Sequence, residues 1–322
     1  MLISILSVTD GYHHPKWRFP ALLLQKIIHQ YFNSMKAIIA CTDFSHNATN
    51  AVQYAAALAQ ATEAKLVLFH HFNYPVPATD LPAVFPNVFV DEMEASFKRK
   101  LQELKDDLAQ SYPIEIDCVV RSWDLPSDLD EVFEAEEADL VVMGMHGKSA
   151  VANALYGSIT SSAIRRGKVP MLVVSRGVAF HPIKKILFPF DDHAIPNAQT
   201  VQALRELATA FDAYIEVFTL FDLKKTPELV PQGGLSSAKR HLQELLKGIR
   251  HGYSYENENA VDKGILYEAA RSGVDMVVMI PHHHSFLSNL FNQSETQRVA
   301  ASITLPLLVL GERAQEATKK EN

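Results

Sequence analysis

Three glycines and a serine in the stretch ADLVVMGMHGKSAVANALYGSIT (138–160) have the spacing of a phosphate-holding turn. Gly144 and Gly147 end an apolar run, and Gly157 and Ser158 open a helix-like segment. Glycine permits positive φ and puts no Cβ in the way of a ligand. A strand end followed by a helix start offers free N–H groups and the positive pole of a helix dipole, which together favour an anion. In this reading the N–H groups of Ser158 and Ile159 and the Ser158 hydroxyl form the anion seat. The plainer alternative is that the glycines only turn the chain and Ser158 only caps a helix. A second candidate pair, Asp43 and Ser45, follows the apolar run KAIIACT, and Asp43 is either a ligand-facing carboxylate or a helix cap.

Two familiar phosphate motifs are excluded. Gly147-Lys148-Ser149 ends like a Walker A loop, but Val142 stands where the first glycine belongs. No GxGxxG fingerprint is present. Lys148 either neutralises a phosphate or is solvated. His282-His283-His284 invites a metal reading, yet adjacent residues in an extended turn cannot all face one ion, and no carboxylate or cysteine follows at ligand spacing. No metal site and no catalytic residue are assigned. There is no Ser-His-Asp order with an elbow, and Glu131, Glu134, Glu136 and Glu137 read as a solvated helix face.

The elements that position these residues alternate from Lys36 onward. Short apolar runs at KAIIACT, AKLVLFHHF, IEIDCVV, ADLVVM and VPMLVV read as strands. Between them lie helix-period segments. NATNAVQYAAALAQAT is rich in alanine, and Asp91–Gln110 puts Met93, Phe97, Leu101, Leu104 and Leu108 on one face. SDLDEVFEAEE is a short helix expected to be capped by Ser127 or Asp128. A loop with Pro75, Pro77, Pro82 and Pro86 is too proline-rich to be regular. Five strands alternating with helices imply a parallel, doubly wound α/β sheet covered on both faces. Such a sheet takes its ligand at the carboxyl ends of the strands.

The pattern then restarts. KKILFPFD repeats KAIIACTD, with Asp191 where Asp43 fell. At a constant shift of 136, VDMVVM (274–279) lies on ADLVVM (138–143) and LPLLVL (305–310) on VPMLVV (169–174). Two tandem Rossmann-like domains follow, at 35–176 and 183–311, each a five-stranded parallel sheet with helices on both faces. Residues 1–34 are expected to be a peripheral extension, either a short amphipathic helix or sequence preceding a start at Met35, and residues 312–322 a polar tail. The last strands, PMLVVS and PLLVLG, present apolar edges through which the copies can pair as a pseudo-dimer, and two chains pair again as a homodimer.

Composition narrows the function. At 322 residues, 48% apolar and 21% charged, the chain has the make-up of a globular protein of two domains. A net charge of −7 argues against a nucleic-acid binder without excluding a nucleotide held by backbone N–H groups. No run approaches the roughly 18 apolar residues of a membrane span. Cys41 and Cys118 sit in strand-like runs and read as buried free thiols, which fits a reducing cytoplasm.

Gly144-x-x-Gly147, nine residues, then Gly157-Ser158, after VVM and before VPMLVVS, resembles the nucleotide motif of the universal stress proteins. From Met35 to about Gly311 the chain resembles a tandem member of that family. The resemblance implies a cytoplasmic protein with a Rossmann-like fold that commonly dimerises, and whose glycine-motif members bind ATP, sometimes with Mg²⁺. It also implies that Gly144, Gly147, Gly157, Ser158 and Ile159 hold the phosphates, that Asp43 faces the nucleoside, and that His71 lies beside the base. In the second copy Ile280, His283 and Gln293 replace the glycines, and only Ser294 keeps the pattern. That copy is expected not to bind ATP in the same way. Three functions stay open: a nucleotide-dependent stress regulator or sensor, a slow ATPase or self-phosphorylating protein, and an interaction scaffold with incidental nucleotide.

Overall fold

Strands form where branched and aromatic residues can be buried on both faces of a sheet. In the computed structural model, residues 35–73, 87–122, 125–145, 168–190, 195, 197–221, 236–257, 261–280 and 304–311 are described. Gly147, Gly157, Ser158, Ile159 and the triplet at 282–284 lie outside the described residues. The first half contributes β1 (Ala37–Cys41), β2 (Lys65–His71), β3 (Ile116–Arg121), β4 (Leu140–Met145) and β5 (Met171–Ser175). The second contributes β6 (Lys185–Pro189), β7 (Tyr214–Phe221), β8 (His251–Asn257), β9 (Met276–Met279) and β10 (Leu307–Val309).

The helices are α1 (His46–Thr62), α2 (Asn87–Ala109), α3 (Leu125–Ala135), α4 (Gln202–Phe211, entered through a 3₁₀ turn at Ala198–Val201), α5 (Ser237–Leu245) and α6 (Val261–Ser272). α1 is held at its start by the Ser45 hydroxyl, which accepts from the Ala48 N–H at 3.3 Å. Its buried alanines, Ala51, Ala55, Ala56 and Ala59 among them, let it lie close on the sheet. α3 begins at Leu125, ahead of the expected cap at Ser127 or Asp128. Pro126 sits in the first turn, where a missing N–H leaves no helical bond unmade, and Asp128 becomes a first-turn acid.

The strands make one sheet of ten in the order β3-β2-β1-β4-β5-β10-β9-β6-β7-β8. Every neighbouring pair is parallel except β5 and β10, which run antiparallel with Leu308 opposite Leu172. The two apolar strands expected to pair the copies do so. On one face α1 and α2, then α4 and α5, cover Ile38, Ala40, Leu66, Leu68, Leu140 and their counterparts. On the other, α3 packs Leu129, Val132 and Phe133, and α6 packs Ile265 and Ala269, over Ile39, Val67, Val141, Leu187 and Val277.

The repeat is legible in single hydrogen bonds. Asp139 accepts from the Lys36 N–H at 2.5 Å, and Asp275, 136 residues on, accepts from the N–H groups of Lys184 and Lys185 at 2.7 and 2.9 Å. Glu63 and Asp212 end α1 and α4 in the left-handed region, at φ 56° and 49°. The segment joining the copies is packed, with Phe180 edge-on to Tyr54 of α1 at 5.3 Å and 5.9 Å from Phe211 of α4.

Candidate functional site

In the first half the chain runs outward from β1 to β2 and β3 on one side, and through β4 and β5 on the other. The order therefore reverses between β1 and β4, and the crevice beyond their carboxyl ends is where such a sheet takes a ligand. Ala40 of β1 pairs with Val142 of β4. Asp43 and Gly144 thus leave adjacent strands within a residue or two of each other.

The turn after β1 is tightly specified. Thr42 is buried and donates its N–H to the Phe69 carbonyl at 2.9 Å. Its hydroxyl accepts from the Phe44 N–H at 3.0 Å, and Asp43 Oδ1 accepts from the Ser45 N–H at 2.9 Å. Phe44 lies at φ 62°, an uncommon conformation for a bulky residue. The Asx turn leaves Asp43 exposed at the crevice while Ser45 does the capping. The capping role the sequence leaves open for Asp43 thus falls to Ser45.

Gly144 is the last glycine of the motif within the described residues. A Cβ there would stand 2.6 Å from the Asn47 carbonyl oxygen and 2.9 Å from its carbon. The backbone at the start of α1 fills the space, so close helix–strand packing by itself requires glycine. In the second half Ile280 takes this position and is 4% exposed. There the helix is capped by Asn197, six residues after Asp191, whereas Ser45 caps α1 two residues after Asp43.

His71 ends β2 with its side chain turned to the α3 face. Its Nε2 lies 3.5 Å from Asp128 Oδ2, and the two side chains are 3% and 14% exposed. The imidazole is thus turned away from the α1 face, and it is the backbone of His71 that lies at the strand end.

Its neighbour was not singled out by sequence, although alternation along β2 puts it on the face of Leu66 and Leu68, toward the crevice helix α1. His70 is 5% exposed, and its Nδ1 donates to the Thr42 carbonyl at 2.8 Å. Its ring centroid lies 4.7 Å from that of Phe44 and 4.3 Å from that of Phe97 on α2. Phe72 joins Phe97 at 5.1 Å, and Lys100 Nζ stands 5.5 Å from the centroids of both Phe44 and Phe97. Burial holds the His70 imidazole below its ordinary pKa. The neighbouring His71 and Lys100 add to this, while the Thr42 carbonyl and Asp43 oppose it. Cys41 and Cys118 are both free thiols, and burial pushes each upward.

Among the described residues no group of three or more His, Cys, Asp or Glu could hold a metal ion. No described helix is long and apolar enough to cross a membrane.

Comparison with known proteins assigns the repeat. The family model of the universal stress proteins matches residues 35–175 and again 182–311. A universal stress protein of Methanocaldococcus jannaschii is 27% identical over 154 residues, covering 44% of this chain and 95% of the relative. A second from that organism is 25% identical over 154 residues, covering 48% and 90%. The crystal structure of a universal stress protein from Archaeoglobus fulgidus superposes with a TM-score of 0.62 at 16% identity, over 86% of this chain and 98% of the other. That last likeness concerns the fold, and it extends through both halves.

Proposed function

Because the chain belongs to the universal stress protein family and carries its fold twice, we propose that the first half binds ATP and that the protein acts as a nucleotide-dependent regulator or sensor of stress in the cytoplasm. The observation that carries the reading is that exposed Asp43 follows β1, whose neighbour at the switch point of the first half is β4. From that strand end the chain runs directly into Gly147, Gly157, Ser158 and Ile159. In the second half the same position after the strand is held by Ile280, whose side chain is buried in the core.

In this proposal Asp43 meets the ribose, the His71 backbone meets the base, and the glycine stretch with Ser158 meets the phosphates. Each contact is suited to an anionic ligand in a chain of net charge −7, because backbone N–H groups rather than lysines supply the attraction. Any Mg²⁺ would arrive on the phosphates.

Calorimetry on the full chain tests the stoichiometry. One ATP per chain is expected, abolished by Gly157→Val with the far-ultraviolet circular dichroism unchanged. Two equivalent sites, or none, would overturn the proposal. Release of phosphate, or transfer of label to the protein in a single turnover, would move the assignment to a slow ATPase.

A further inference from the structure

His70 touches the ligand loop and has a ring nitrogen left over. The Thr42 carbonyl can only accept, so Nδ1 carries the proton and neutral His70 keeps a lone pair on Nε2. Nε2 is fully buried and has no hydrogen-bond partner among the described residues. A ligand atom cannot reach it while the rings of Phe44 and Phe97 are in place. A proton can.

We propose that His70 is a proton-responsive latch on the ligand loop: the neutral ring clamps Thr42 and Phe44, and protonation at Nε2 releases the turn that presents Asp43. The proposal rests on the ligand reading above for its effect on affinity, but not for the latch itself. The added N–H would point into an apolar cluster with no described acceptor, and a buried unpaired charge is costly. The ionisable groups whose charge reaches the ring are His71, turned to the other face of its own strand, Asp43 on the loop and Lys100 on α2. Lys100 already occupies the cation's place over both phenyl rings, so cation–π attraction is not free to receive an imidazolium. Asp43 favours the charge, but its Oδ1 is engaged by the Ser45 N–H and its side chain is exposed.

The direction follows from linkage. A histidine whose pKa is lowered in the closed loop stabilises that loop fully above the unperturbed value. The stabilisation is lost as pH falls below it, because the released loop binds the proton better. The window therefore opens below about pH 6.5 and the loss is at most about tenfold per pH unit.

The test compares the full natural chain with His70→Asn, whose amide keeps a donor for Thr42 but cannot titrate. Hydrogen exchange of the Phe44 and Ser45 amides, corrected for intrinsic rates, is followed without nucleotide between pH 7.5 and 5.5. ATP affinity is measured by calorimetry at the same pH values. The natural chain should lose amide protection on acidification and lose affinity by up to about tenfold more than the variant. The titration of ATP itself is common to both chains and cancels. Equal pH dependence in the two chains would overturn the latch. If ATP binds neither chain at any pH, the ligand reading falls and amide exchange still decides the latch. Should His70→Asn fail to fold, the His70 ring is titrated by NMR in the natural chain. A midpoint below that of an exposed histidine, coinciding with the loss of protection, supports the latch, and titration without that loss overturns it.

Discussion

Gly144 carries two demands on one missing Cβ. In the proposed site the glycine pattern places it in a phosphate turn, and the Asn47 backbone, 2.6 Å from where a Cβ would stand, gives it a place in helix packing. The second demand is testable without any ligand. Gly144→Ala is expected to destabilise the chain by about 1–3 kcal/mol, since backbone cannot step aside as a side-chain tip can. A lowered urea midpoint with an unchanged slope would show it, and an unchanged midpoint would show that the start of α1 moves freely. The neighbouring histidines mark the limit of what single residues disclose in sequence. HH at 70–71 is one symbol repeated, yet one ring pairs with Asp128 under α3 and the other clamps Thr42 beneath the crevice. Their faces are set by which helix covers which side of β2, and that is not written locally.

At the scale of elements, the two halves bury different chemistry under equivalent helices. Val132 of α3 is 2% exposed, and its counterpart 136 residues on, Glu268 of α6, is 1% exposed. Glu268 Oε2 accepts from Arg271 Nε and Nη2 at 2.9 and 2.7 Å, and nearby Lys185 reaches Glu216 at 2.7 Å. Arg271 is exposed and Glu268 buried, so removing the guanidinium strands the carboxylate inside, whereas an apolar residue in its place needs no partner. Arg271→Ala should therefore lower the denaturation midpoint, and Glu268→Val in that background should restore it. Failure of the second change to recover what the first loses would mean the pair is needed for packing. Elements with a strong apolar pattern, such as β1, β4 and α2, could be read from sequence because burial on two faces or on one helical stripe leaves few alternatives. β8 could not: HGYSYEN has no apolar run, and none of its residues is fully buried. The start of α3 lies ahead of the cap expected at Ser127 or Asp128, since a proline is accommodated in a helix's first turn.

At the scale of the molecule, the antiparallel seam of β5 and β10 makes ten strands one sheet. The apolar layer that covers it holds residues of both halves, Leu172 and Leu308 together in its centre. Unfolding should accordingly be a single transition by circular dichroism and by tyrosine fluorescence. Leu308→Ala, at a fully buried site, should shift that transition by about 2–5 kcal/mol without splitting it. Two separated transitions would mean that the halves are independent and merely abutted.

The seam also has a consequence for dosage. A pair assembled from separate chains comes apart on dilution, and its occupancy follows how much of it a cell makes. Here residues 176–183 bridge the halves within one polypeptide, so each half meets its mate at an effective concentration fixed by the tether rather than by expression. The unequal halves always occur one to one. A rare copy in a quiescent cell is as fully assembled as an abundant one, and the half with Ile280 can diverge without its partner ever being left alone.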